Sequence, residues 1–345
     1  MAVWVAARVA GADEFQLIAR HFAPLAAGEP GALGLLDDAA VLAMPPGRAL
    51  VVTTDLLVEG VHFRADDPPE SLGIKVLAVN LSDLAAMGAE PRAYVLVTAL
   101  PLAWEEERRQ EFLAGLTAGL EALQARAGLA LVGGDTVATP GPLTLGVTAF
   151  GSVEPGRELR RRGARPGDRV FVSGCIGDGA LGLRVLDGRL RVLPAALAAA
   201  AVDRYRRPQP RLTLGLGLVG LASACADVSD GLIADLGHIC SASGVSADIA
   251  AAEVPLSAAG RTAVAADSTL LGLLLTGGDD YELVFTAPAE RSEAVRAAAA
   301  TAGVPVAAIG VVRDEGAEAA HNQPVRLLGA DGRPLDVGSG GFRHF

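Results

Sequence analysis

Apolar segments of strand and helix character alternate along this chain, and many end on an aspartate flanked by Gly, Ser or Thr. Such alternation marks α/β architecture, in which helices pack on the faces of a sheet. Ala49–Thr54 reads as a strand ending at Asp55. Pro69–Met87 has helical spacing, with Leu72, Val76, Val79, Leu84 and Met87 near one face and Gly88 as a stop. Ala93–Leu100 is a strand closed by Pro101, and Glu105–Arg126 is a long amphipathic helix. Leu129–Val132 is a strand followed by Gly133-Gly134-Asp135, and Leu143–Phe150 is another strand.

Gly, Pro and a cluster of arginines break the pattern in Gly151–Gly167, which divides the 345 residues into domains 1–152 and 153–345. Arg169–Ser173 restarts it as a strand, after which Asp178 is placed to cap a helix beginning at Gly179. Helices are expected around Pro210–Ala224, Gly231–Ser243 and Glu290–Ala302. Strands are expected at Ser246–Ile249, Glu282–Thr286 and Pro305–Val312. The fold class is therefore mixed α/β in two domains.

A net charge of −11 argues against nucleic acid, which calls for a basic face. An anionic ligand would also be repelled unless cations intervene. The only lysine, Lys75, lies in Ser71-Leu72-Gly73-Ile74-Lys75-Val76. That segment fits neither the phosphate loop of ordinary NTPases nor the lysine motif of protein kinases. If this chain handles ATP, it does so through aspartates and a hard cation such as Mg²⁺, which takes oxygen ligands. Cys175, Cys225 and Cys240 form no CxxC pair and read as reduced core residues. The apolar start Met1–Ala10, interrupted by Arg8, reads as a frayed tail (residues 1–12) rather than a signal peptide. Apolar runs fall far short of the roughly 18 residues that span a bilayer, so a cytoplasmic location without membrane contact is expected.

The acidic motifs carry the chemistry. Asp37-Asp38 places two like charges side by side, which need a cation or solvent between them. Thr53-Thr54-Asp55 offers two hydroxyls and a carboxylate at a strand end, with His62 seven residues on. In Asn80-Leu81-Ser82-Asp83 a polar group interrupts an apolar helix, where Asp83 either joins a hydrogen-bond network or ligates metal. Gly133-Gly134-Asp135-Thr136 allows close backbone approach to a phosphate, though it also suits an ordinary turn. In Asp227-Val228-Ser229-Asp230-Gly231, Ser229 or Asp230 caps a helix whose N-terminus also favours phosphate. Thr276-Gly277-Gly278-Asp279-Asp280 is a similar Gly-rich acidic turn, and Arg157 and Arg160–Arg162 are candidate counter-charges. The closing Gly340-Gly341-Phe342-Arg343-His344-Phe345 offers aromatic rings that either stack on a flat ligand or bury the terminus.

These motifs, in this order, resemble the thiamine-monophosphate kinases of the aminoimidazole ribonucleotide synthetase-like superfamily. The resemblance runs from Glu14-Phe15-Gln16-Leu17-Ile18 to the final His-Phe and is most specific in Ala78–Ala89. It implies ATP-dependent phosphorylation of thiamine monophosphate to thiamine diphosphate by direct in-line transfer. It implies a homodimer whose N-terminal domains, with the ATP and metal sites, close an intersubunit β-barrel, and a mixed-sheet C-terminal domain completing the active site. Carried over by motif, Asp38, Thr53, Thr54, Asp55, Asp83, Asp135, Asp227 and Asp230 are implied Mg²⁺ ligands. Gly134, Asp135, Arg161 and Ser229 are implied ATP contacts, and His62, Asp279 and Phe342 contacts to thiamine phosphate. Two departures stand out: Leu36 replaces a glycine, and Asp279 replaces a glutamate, so Asp280 or a water is an alternative contact to thiamine.

The acceptor's phosphate has a second pKa of about 6, so it is already an oxyanion nucleophile at pH 7 and no catalytic general base or covalent intermediate is expected. Three rivals remain at this stage: a sister ATP-dependent synthetase, a metal-dependent phosphohydrolase and a non-enzymatic sensor. Asp83→Asn removes charge at nearly constant volume, and is expected to abolish turnover while leaving circular dichroism unchanged. Retention of most activity would return Asp83 to a structural role.

Overall fold

The structure, a computed structural model, describes residues 14–314 and 324–335. Internal contacts divide the chain into two compact units. One comprises Met1–Ala43, Asp55–Val76 and Ala93–Thr148; the other comprises Met44–Thr54, Leu77–Arg92 and Ala149–Phe345.

In the first part of the chain, α1 (Glu14–Leu17) passes through a π-helical turn at Ile18–Phe22 into α2 (Ala23–Ala26), followed by a 3-10 segment at Pro30–Leu35. Then come β1 (Ala49–Val58), α3 (Pro69–Ala86), β2 (Glu90–Pro101), α4 (Glu106–Ala127), β3 (Ala130–Thr139) and β4 (Thr144–Val153). The strands form a four-stranded sheet in the order β1-β4-β2-β3. α3 is buried nearly all round rather than along one stripe, its Val76, Leu77, Ala78, Leu81, Leu84 and Ala85 all inaccessible. An all-round apolar helix belongs in an interior.

Two sequence expectations change here. The Gly133-Gly134-Asp135 segment is strand, not turn, and β1 runs past Asp55 to Val58. β3 pairs in parallel with β2, and between Tyr94↔Leu131 and Val95↔Gly133 one extra residue bulges out of β3. Beyond the bulge, the Leu96 carbonyl lies where a side chain at position 134 would sit, so only glycine lets the two backbones pair. Glycine therefore serves strand pairing here. Between Asp38 and Ala49 the chain is irregular.

The second part contains β5 (Arg169–Ser173), α5 (Asp178–Leu186), α6 (Ala195–Arg206), α7 (Leu212–Leu218), β6 (Ala224–Asp227) and α8 (Leu232–Ser243). It continues with β7 (Ser246–Ala250), α9 (Ala258–Ala266), α10 (Leu270–Thr276), β8 (Leu283–Ala287), α11 (Ser292–Ala302), β9 (Val306–Arg313) and β10 (Val325–Leu328). Its six-stranded sheet has the order β10-β7-β9-β5-β8-β6, antiparallel except for the parallel β10–β7 pair. Strand alternation sorts the core onto its two faces. Val170, Val172, Ala226 and Val284 pack with Leu232, Leu236 and Ile239 of α8. Phe171, Cys225 and Phe285 pack with Leu214 and Leu218 of α7 and Val295 of α11. The Phe171 and Phe285 rings stack at 5.3 Å. The expected helix Pro210–Ala224 stops at Leu218, because the apolar Ala224–Asp227 that follows is a fully buried strand against β8. No described helix is long and apolar enough to cross a membrane.

α3 and α4 approach so closely that a Cβ on Gly73 would meet the Leu116 carbonyl and one on Gly119 the Glu70 carbonyl. Alanine is the better helix former by about 1 kcal/mol. Overpacking against rigid backbone costs about 1–3 kcal/mol and prevails here. Gly119→Ala is accordingly expected to lower the urea unfolding midpoint, whereas a gain in stability would show that the helices are free to part.

Candidate active site

Within the first unit, a cavity of about 430 Å³ is lined by Asp37, Asp38, Gly133, Gly134, Asp135 and Thr136, over an apolar floor that includes Val95 and Leu131. Asp38 and Asp135, far apart in sequence, thus line one space. The chain enters Asp37 through Leu33, Gly34 and Leu35, all in the left-handed region at φ 52°, 67° and 57°. Two of these are leucines, so strain sits just before the acidic pair. Leu36 itself has φ −106°, which any residue adopts, so this backbone needs no glycine there.

Along β1, pleating puts Thr53 and Asp55 on one face and Thr54 on the other. Thr54 is exposed on the face that also carries the exposed Leu50, Val52 and Leu56. His62 sits in the turn after β1, where its own N–H and that of Val61 bond the Val58 carbonyl. Its ring Nδ1 accepts the Val58 N–H at 3.0 Å, which in the neutral ring leaves the proton on Nε2. Lys75, only 1% exposed, supports the turn from α3 by donating to the His62 carbonyl at 3.2 Å. The sequence signal for this role was the lone lysine itself, set among Leu72, Ile74, Val76 and Leu77 of an otherwise largely apolar stretch of α3.

In the second unit, Asp83 accepts a hydrogen bond from the Thr53 hydroxyl. Burial holds the Asp83 carboxyl above the usual range, while Thr53 and the Arg161 charge oppose that rise. Arg161 acts on Asp235 as well, so one guanidinium serves two carboxyls from separate helices. Asp230, Asp235 and His238 bring ligand atoms within 4.8 Å of one another. Asp227 ends β6 and is buried.

Neither Ser229 nor Asp230 caps α8. Asp235, one turn inside the helix and 1% exposed, instead reaches back to the N–H groups of Ser229, Asp230 and Gly231 at 3.0, 3.0 and 3.1 Å. One carboxylate thereby fixes the Asp227–Gly231 loop. Burial, and then the Asp230 charge, push it up to about 7 despite these bonds. Its sequence signal was an acid among Leu232, Ile233, Ala234 and Leu236, where a buried carboxylate must have partners.

The loop after α10 is held in the same manner. Asp280, 2% exposed, accepts the N–H groups of Gly177 and Gly179 at 2.7 and 3.1 Å. It, not Asp178, caps α5; Asp178 accepts from the Ser257 hydroxyl. Asp280 is thus turned inward, and Asp279 is the half-buried carboxylate of the pair. Nearby, buried Glu282 is paired with Arg204 and Arg211. Phe342 lies outside the described residues.

The donors at these two sites are mostly carboxylate and hydroxyl oxygens, a set suited to hard divalent cations, with the His238 imidazole beside Asp230 and Asp235. Thiolates are a poor alternative, since burial raises the thiol of Cys240 to about 12 and that of Cys225 further.

Comparison with known proteins gives a consistent picture. Residues 36–153 match the AIR synthase related protein N-terminal domain and residues 165–321 the corresponding C-terminal domain. The thiamine-monophosphate kinase of Caulobacter vibrioides is 43% identical over 89% of this chain and 86% of its own length. A crystal structure of thiamine-monophosphate kinase from Stenotrophomonas maltophilia is 42% identical with a TM-score of 0.75, covering 87% of this chain and 91% of that one. AaThiL complexed with AMPPCP and TMP is 29% identical with a TM-score of 0.74, covering 92% and 98%.

Burial raises the Asp280 carboxyl to about 8, outweighing its two N–H bonds. Between about pH 4 and pH 8 the folded state then binds more protons than the unfolded chain, so stability falls as pH rises through that window. The thermal midpoint of Asp280→Asn is expected to decline less from pH 5 to pH 8 than that of the wild type. Parallel curves would mean that Asp280 titrates elsewhere.

Proposed function

Since this chain belongs to the thiamine-monophosphate kinase family, we propose that it transfers the γ-phosphoryl group of ATP to thiamine monophosphate, giving thiamine diphosphate and ADP. The observation that carries this reading is the near full-length match at 43% identity. AaThiL bound to AMPPCP, a non-hydrolysable ATP analogue, and TMP supports the same pair of substrates.

The chain's own groups have three tasks. They bind two anions, align them and limit their repulsion; no proton need be removed, because the acceptor phosphate is ionised at neutral pH. Arg161 contributes positive charge beside Asp83 and Asp235, and with Gly134, Asp135 and Ser229 forms the ATP contacts. His62 is a contact to thiamine monophosphate. Asp279 faces the cationic thiazolium ring of thiamine, and Phe342 is a further contact to it. Asp38, Thr53, Thr54, Asp55, Asp83, Asp135, Asp227 and Asp230 would hold Mg²⁺. Bound there, the ions would neutralise phosphate charge that these acids alone would repel.

Residues 1–152 are assigned ATP and metal binding and dimerisation, and residues 153–345 completion of the active site. The matched spans 36–153 and 165–321 support that division. A homodimer closing a β-barrel is favoured by β1, whose Leu50, Val52 and Leu56 are between 51% and 56% exposed. Apolar side chains repeated along one face mark a surface that gains by being covered. A cytoplasmic location follows from the ATP requirement.

With ATP, Mg²⁺ and thiamine monophosphate, purified protein is expected to form thiamine diphosphate and ADP in equal amounts, and neither once EDTA is added. Phosphate release at the same rate with or without thiamine monophosphate would replace this reading with a hydrolase.

A further inference from the structure

Asp279 and Tyr281 stand on either side of Asp280, and both occupy the left-handed region, at φ 68° and 51°. Two departures of this kind, one residue apart, persist only where the surroundings impose them. Here the restraints converge from three segments. The start of α5 donates the Gly177 and Gly179 N–H groups to the Asp280 carboxylate. From the Asp227–Gly231 loop, the Ser229 carbonyl accepts the Asp279 N–H at 2.9 Å and the Val228 carbonyl accepts the Tyr281 N–H at 2.8 Å. Arg204 of α6 donates to the Asp280 carbonyl at 3.1 Å. The Tyr281 hydroxyl, finally, donates to Asp279 Oδ1 at 3.1 Å.

We propose that Asp280 is a positioning residue for the phosphoryl acceptor: buried and bonded to the start of α5, it fixes the backbone on which Asp279 is aimed at the thiamine ring. The inference rests on the kinase reading above and extends it to a residue that touches no substrate. Asp280 is inaccessible and committed through both oxygens to backbone N–H groups, so its influence passes through Asp279. The Asp227–Gly231 loop has its own hold in Asp235, so loosening Asp280 shifts the acceptor side and leaves the ATP side in place. Close packing reinforces the restraint. A Cβ at Gly179 would meet the carbonyl oxygens of Gly278 and Asp279, so the loop has no room to slide toward α5.

The test is a double-mutant cycle on steady-state kinetics with Asp280→Asn, Asp279→Ala and the double variant. Asp280→Asn is expected to raise KM for thiamine monophosphate about 10-fold, the scale of a sub-ångström misplacement, with KM for ATP changed less than about twofold. In the Asp279→Ala background the same substitution is expected to leave KM for thiamine monophosphate unchanged. An equal factor in both backgrounds, or an equal rise for ATP, would reduce Asp280 to general structural support. Should Asp280→Asn fail to fold, Gly179→Ala takes its place in the cycle, since its Cβ displaces the same loop without altering charge. An active wild type with an unaffected variant overturns the positioning role alone. A wild type that makes no thiamine diphosphate overturns the kinase reading with it.

Discussion

Buried carboxylates that accept backbone N–H groups are the interaction on which the loops of the second unit depend. Asp235 ties down three successive N–H groups ahead of α8, and Asp280 two at the start of α5. A loop rich in glycine and acid would otherwise be splayed by its own charge. Where water is excluded, a buried carboxyl group left without such partners would cost about 1–3 kcal/mol or more. The effect is to place Asp227, Ser229, Asp230 and Asp279 without using their side chains as struts.

Positive charge is used sparingly in the same region. Arg161 opposes the rise that burial imposes on both Asp83 and Asp235, while Arg204 and Arg211 pair with Glu282, which is buried outright. Lys75, far from acting as a mobile phosphate binder, is sunk in α3 beneath the His62 turn. If the proposed substrates bind among these acids, divalent cations would have to accompany them to offset the repulsion. That requirement follows from Coulomb repulsion alone.

Much of the architecture could be read from periodicity. The strands and helices between Ala49 and Val153 fall where alternation and helical spacing put them, with ends shifted by a few residues. Failures came where local rules compete with pairing. Gly133-Gly134-Asp135 satisfies the chemistry of a turn, yet β2 lies alongside and supplies hydrogen bonds that an isolated turn lacks. Ala224–Asp227 is too short and too apolar to announce itself as a strand, and only burial against β8 makes it one. Ser229 and Asp230 are good caps by type, but a carboxylate from inside the helix reaches their N–H groups first.

The sequence by itself determined the residue types available to the site and the alternation that makes this a two-part α/β chain, because side-chain chemistry and period are local properties. It also carried the family resemblance, since the motifs are contiguous strings. Which of two adjacent acids faces outward was decided only by the tertiary structure. Asp279 and Asp280 are the same residue type one position apart, and what separates them is the pair of N–H groups that α5, a hundred residues earlier, presents to one and not to the other.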